Sequence, residues 1–137
     1  MNWLVKEEPT NYSFADFQRD GATLWSGVRN PLAQKHLRAM TPGDRVFYYH
    51  TGNEKAVVGI ARVDAMPAPD PADSSGKLWA VRLVPVQPLP APVRLATIKG
   101  DTFFADFALV RMGRLSVMPV TDAQWARILE LGRDSSG

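Results

Sequence analysis

Two neighbouring segments, 45–51 and 56–66, constrain the fold more than any other part of the chain. In the first, Val46, Tyr48 and His50 share one face by period two. In the second, Val57, Gly59, Ala61 and Val63 face one way, and Val58 and Ile60 the other. Strands that are apolar on both faces leave no side for water. They need a sheet that is closed on itself or covered on both faces. The turn between them is Gly52-Asn53-Glu54-Lys55. In a chain of 137 residues this implies one domain with a single modest core.

The remaining segments fit around that pair. Residues 2–6 read as a buried strand ended by Glu7-Glu8-Pro9. Ser13, with Asp16 three residues on, caps a short helix that carries Phe14 and Phe17 on one face and closes near Gly21. Residues 31–40 form a helix with Ala33, Leu37 and Met40 as its buried stripe. Thr41-Pro42-Gly43-Asp44 turns into the next strand. Residues 67–76, rich in Pro, Ala, Asp and Ser, read as a mobile loop. A strand follows over 77–86, and the three prolines of 87–92 make that stretch extended but not central in a sheet. A short helix is expected over 94–99, and another after Asp101 carrying Phe103, Phe104 and Phe107. Residues 114–120 read as a last strand. Thr121 and Gln124 form a capping box for a C-terminal helix with Trp125, Ile128 and Leu129 buried and Gly132 as C-cap. The expected domain is 1–132, with 133–137 frayed. Five to six short strands with peripheral helices give an α+β fold, and two-sided apolar strands favour a small barrel.

Charge and composition narrow the function. Sixteen basic and fourteen acidic residues leave a net charge of +2, too small for a protein that grips long stretches of phosphate backbone but sufficient for a short contact. The absence of cysteine removes disulfides, zinc-thiolate sites and cysteine nucleophiles together. The two histidines, His36 and His50, lack metal-ligand spacing, and His36 is expected to be exposed. No phosphate loop or dinucleotide fingerprint is present. Glu7 and Glu8 are adjacent in a strand and point to opposite faces, which makes them a solvated pair rather than an acid–base site. No catalytic residue, metal or cofactor is therefore expected. No apolar run reaches the roughly 20 residues of a membrane span, and Met1–Lys6 lacks the pattern of a signal peptide. A soluble, cytoplasmic monomer is expected.

The run Trp25-Ser26-Gly27-Val28-Arg29-Asn30 carries the functional signal. An indole is a flat stacking surface, glycine lets backbone approach closely, and Arg and Asn supply directed hydrogen bonds. That set suits a planar, polar heterocycle. It also suits a loop-to-helix junction, with Asn30 as N-cap and Pro31 at the first helical position. The two readings are compatible. His50, ending Tyr48-Tyr49-His50-Thr51, fits equally a pocket residue or a satisfied core histidine. Arg114 and Ser116 share one face of the last strand, and the pattern slightly favours solvent over a ligand edge.

These segments together resemble the EVE domain, a member of the PUA-like superfamily related to the YTH readers of methylated adenine. The resemblance runs from Asn2 to Leu131. It rests on Trp3-Leu4-Val5-Lys6-Glu7-Glu8-Pro9, Trp25 to Asn30, Leu37-Arg38-Ala39-Met40, Gly43-Asp44, Tyr48-Tyr49-His50-Thr51, Val58-Gly59-Ile60-Ala61 and Arg114-Leu115-Ser116-Val117-Met118-Pro119-Val120, in the family's order and spacing. The chain departs from it at Glu7, Ser26 and Met118, where the family more often has Ser, Asp and Gln. It departs again at Pro31-Leu32-Ala33-Gln34-Lys35. Where such positions line a pocket, ligand preference shifts.

The resemblance implies a PUA-like pseudobarrel that reads a modified base, such as methylated or hydroxymethylated cytosine or methylated adenine, in DNA or RNA without catalysis. Flipping a base costs a few kcal/mol, and aromatic stacking returns about 1–3 kcal/mol. On this picture Trp25 or Trp3 is the stacking wall. Asn30, His50, Thr51 and Ser116 read the polar edge, and Lys6, Arg29 and Arg114 hold phosphate or a base carbonyl. Glu7, Ser26, Gly27, Val28 and Val117 complete the site. The alternatives are a binder of free nucleosides or nucleotides and, third, an enzyme acting on modified bases.

Overall fold

A computed structural model describes residues 1–133. The chain runs β1 (Asn2–Glu7), α1 (Pro9–Tyr12), α2 (Phe14–Asp20), β2 (Thr23–Trp25), α3 (Pro31–Ala39), β3 (Arg45–His50), β4 (Ala56–Val63), β5 (Ala68–Pro69), β6 (Trp79–Arg94), α4 (Leu95–Lys99), a 3-10 turn (Thr102–Phe104), α5 (Ala108–Arg111), β7 (Val117–Val120) and α6 (Asp122–Leu131). The strands form one mixed sheet in the order β2-β6-β4-β3-β1-β7, with β5 paired to β6. Among the described residues only β1 and β3 run parallel, which requires the long helical crossover between them.

The sheet curls without closing. Among the described residues the terminal strands β2 and β7 do not pair. The result is a half-barrel rather than the closed barrel that two-sided apolar strands favour. Helices cover what closure would otherwise have covered. Trp125 of α6 stacks on Phe47 of β3, ring centroids 3.7 Å apart, under the Arg45 guanidinium. Phe14 and Phe17 of α2 pack on Tyr48.

Local signals behave as their chemistry predicts. Ser13 with Asp16 and Thr121 with Gln124 both form reciprocal capping boxes, and Asn30 accepts from the Ala33 amide ahead of Pro31. A bulge leaves Val58 out of register between Val57 and Gly59 and breaks the period-two pattern. Gly59 is required there, because a Cβ would lie 2.5 Å from the Phe14 ring.

The stretch 87–92 is extended and off-centre, as its prolines imply: it is the second half of the 16-residue strand β6, which pairs with β4 alone. A missing amide therefore costs no ladder bond on the free edge. Several other expectations are corrected, the first being the strand over 77–86, which runs on to Arg94. Phe103 and Phe104 sit in a three-residue 3-10 helix capped by Asp101, and Phe107 is the N-cap of α5, so the single helix expected after Asp101 is split in two. The last strand starts at Val117, not at residue 114. The 67–76 loop is ordered by two carboxylates. Asp73 accepts from Ser75, Leu78 and Lys77, bonds that hold its carboxyl down to about 2, and Asp70 is treated below. His36 is half-buried, its ring 5.9 Å from that of Trp3. α1 and β2, four and three residues long, carry no sequence signal of their own. The expected fraying of the tail falls largely on 134–137, outside the described residues. No helix among the described residues is long and apolar enough to cross a membrane.

Candidate functional site

The opening of the half-barrel makes a cleft of about 500 Å³. Its walls are β2 and the loop after it, the end of β1, and Ser116 just before β7. Eight of the fourteen expected site residues line it: Lys6, Glu7, Trp25, Ser26, Gly27, Val28, Arg29 and Ser116. Asn11, Tyr12, Thr23 and Leu24 join them. These four were missed because α1 and β2 are too short to carry a periodic pattern.

Two buried side chains hold the 26–30 loop in place. Gly27 takes a positive φ of 72°, which glycine alone adopts at no steric cost. Its amide donates to Asp70 at 2.7 Å, and Asp70 also accepts from the Ala72 amide. Gln34 of α3 donates to the carbonyls of Val28 (2.6 Å) and Trp79 and accepts from the Trp79 amide (2.9 Å). Asp70 and Gln34 are buried. Neither is marked by any local motif, because both act across the fold.

Trp25 forms the inner wall and is 7% exposed. Its ring meets Tyr48 edge-on at 5.5 Å. The Tyr48 hydroxyl donates to the Tyr12 carbonyl. Burial, with the nearby charge of Glu7, raises that phenol's pKa above its ordinary value, so it stays neutral. Glu7 is half-buried, and its Oε1 accepts from the Glu8 amide. Lys6 donates to the Gly113 carbonyl at 2.9 Å and sits over the Tyr49 ring. Burial lowers its pKa. Arg29 is exposed at the rim and makes no salt bridge among the described residues. An aromatic wall, a carboxylate and the hydroxyls of Ser26 and Ser116 therefore line one cleft, with Arg29 at its rim and Lys6 at the border with the next groove.

Six expected residues lie elsewhere. Trp3 is 1% exposed, and its indole N–H donates to Asp44 at 2.9 Å. A ring enclosed in the core cannot stack on an incoming base. Val117 is fully buried opposite Val5. His50 has both ring nitrogens engaged, Nε2 accepting from the Phe14 amide and Nδ1 against Glu54 at 2.6 Å; it is a satisfied core histidine. Thr51 borders a different groove. Asn30 and Arg114 line a neighbouring cleft of about 590 Å³ between α3 and the segment before β7. Of the departures from the family pattern, Glu7 and Ser26 line the first cleft, and Met118 is buried in β7.

The family model for the EVE domain matches residues 1–131. The chain belongs to the EVE domain family. This EVE domain is similar to the NMR structure of Rpa0253 from Rhodopseudomonas palustris, at 43% identity and a TM-score of 0.91, covering 96% of this chain and 92% of that one. It matches thymocyte nuclear protein 1 of Gallus gallus at 36% identity over 81 residues, which is 50% of this chain. That match spans 34% of the chicken protein's own length. Its fold is also that of human THYN1 protein in complex with 5-methylcytosine containing DNA, at 24% identity and a TM-score of 0.89, each chain covered to 98%.

Proposed function

We propose that this EVE domain is a non-catalytic reader that holds a modified base of DNA or RNA in the cleft beside Trp25. The observation that carries the reading is the cleft itself: a tryptophan wall with Glu7, Ser26, Arg29 and Ser116 around it, in the fold of a protein captured with 5-methylcytosine containing DNA. Trp25 stacks on the base, which is worth about 1–3 kcal/mol. Ser116 and the 26–29 loop address its polar edge, and Lys6 and Arg29 take the flanking phosphates. Catalysis has no part in this reading, since the cleft gathers groups that bind and orient.

Short oligonucleotides carrying plain cytosine, 5-methylcytosine, 5-hydroxymethylcytosine or N6-methyladenine, as DNA and as RNA, test it by titration at two salt concentrations. One mark is expected to bind at least about tenfold better than its plain counterpart, a difference of about 1.4 kcal/mol. That preference is expected to vanish in Trp25→Ala protein that still melts cooperatively. Uniform binding of every oligonucleotide would remove the reader assignment. Binding of a free nucleoside with no gain from attached phosphates would replace it with a small-molecule function.

A further inference from the structure

Lys6 belongs to two cavities at once. On one side it lines the cleft beside Trp25. On the other it borders a groove of about 250 Å³ with Tyr49, Thr51, Lys55 and Lys99. That groove continues into a hollow of about 310 Å³ that shares Lys55 and Lys99 and adds Arg94 and Glu54. The carboxylate of Glu54 is engaged by His50 at 2.6 Å. Glu8 accepts from the hydroxyl of Thr51, which lines the groove, at 3.4 Å. Among the described residues Lys6, Lys55, Arg94 and Lys99 make no salt bridge. With a net charge of only +2 on the whole chain, such a cluster is a local concentration and not a sample of a basic surface.

The backbone builds this cluster. Lys55 takes a φ of +47°, a region side-chain-bearing residues seldom occupy. Its carbonyl accepts from the Leu95 amide at 2.7 Å, which docks the β3–β4 turn on the start of α4 and brings Lys55 and Lys99 to one groove. Lys6 is half-buried without a carboxylate partner, and burial lowers its pKa. An anion beside it would offset that cost.

The geometry points to a phosphodiester-binding subsite: the strand flanking a base held beside Trp25 runs over Lys6 and along the groove past Lys55 and Lys99. This rests on the base-binding reading above. Contacts to phosphate position a strand without reading its sequence, and each neutralised phosphate releases counterions. Loss of the groove therefore changes salt dependence and not base preference.

The experiment titrates a single-stranded oligonucleotide, with and without a central 5-methylcytosine, across a salt series. The proteins are wild type, the Lys55→Ala/Lys99→Ala variant and a Lys35→Ala/Lys77→Ala control. All four substituted lysines are exposed, and the control removes the same charge away from the groove. Thermal melting checks the fold of each. The groove variant is expected to flatten log K against log salt by about 1.4 and to weaken binding of both oligonucleotides equally, with the control at the wild-type slope. A wild-type slope in the groove variant, or equal flattening in the control, overturns the proposal. Should wild type bind both oligonucleotides alike while the groove variant still flattens the slope, the base reading falls and the groove stands. No binding to either at low salt overturns both.

Discussion

Asp70 is the residue on which the cleft's shape depends. The residue is 3% exposed, and its carboxylate accepts from the amides of Gly27 and Ala72. Removing it leaves two amides without their acceptor. Asp70→Ala is expected to cost about 1–3 kcal/mol of stability, read from denaturant unfolding, and to weaken oligonucleotide binding as well. Thr121→Ala is the matched control. It breaks the α6 capping box, costs about 1 kcal/mol, and is expected to leave binding unchanged. Equal binding losses in the two variants would show that Asp70 acts through global stability alone. Trp3 and Trp25 make a similar contrast. Both are buried tryptophans on strands, and what separates them is the partner: Asp44 takes the indole N–H of Trp3 into the core, while Trp25 is left at the cleft wall.

Asp44 also ties elements together. It sits between α3 and β3 and accepts from Trp3 of β1, from the Thr41 amide and hydroxyl, and from the Met1 amino group. Burial opposes its ionisation, but these hydrogen bonds outweigh burial and hold the carboxyl below its ordinary value. A carboxyl depressed in the folded state contributes stability above its unfolded pKa, and that stability fades as pH falls through the folded one. Melting temperatures of wild type and Asp44→Asn are therefore expected to differ at pH 6 and to draw together below about pH 4. A constant gap over that range would mean the charge of Asp44 is not what stabilises the junction. The element scale is also where the sequence was most legible. Helices α2, α3 and α6 announce themselves through caps that act within three residues. β2 does not, because Thr23-Leu24-Trp25 is too short to show a period. The 67–76 loop looks mobile from its composition, yet Asp70 is held by a glycine 43 positions away. The same distance hides part of the site: the Trp25–Arg29 run is readable, but that Trp3, His50 and Asn30 do not join it depends on Asp44, Glu54 and the start of α3.

Across the whole molecule, the strand order places the two ends of the sheet on opposite sides of the cleft. A base bound there bridges edges that the half-barrel leaves apart. Hydrogen exchange is expected to slow at the amides of β2 and of residues 116–118 when a cognate oligonucleotide binds, with β4, paired on both sides, unchanged. Uniform slowing through β4 would indicate general stabilisation by mass action and not closure across the gap. The open rim has one more consequence, for how such a site can be mapped and how it drifts. Main-chain donors and acceptors along the outer edges of β2 and β7 belong to no side chain. Any recognition made through them survives replacement of the residue above, so alanine scanning scores those positions as silent while proline or ester replacement exposes them. Side chains around the cleft can then change which ligand is preferred while the strand edges go on presenting the same hydrogen-bonding groups.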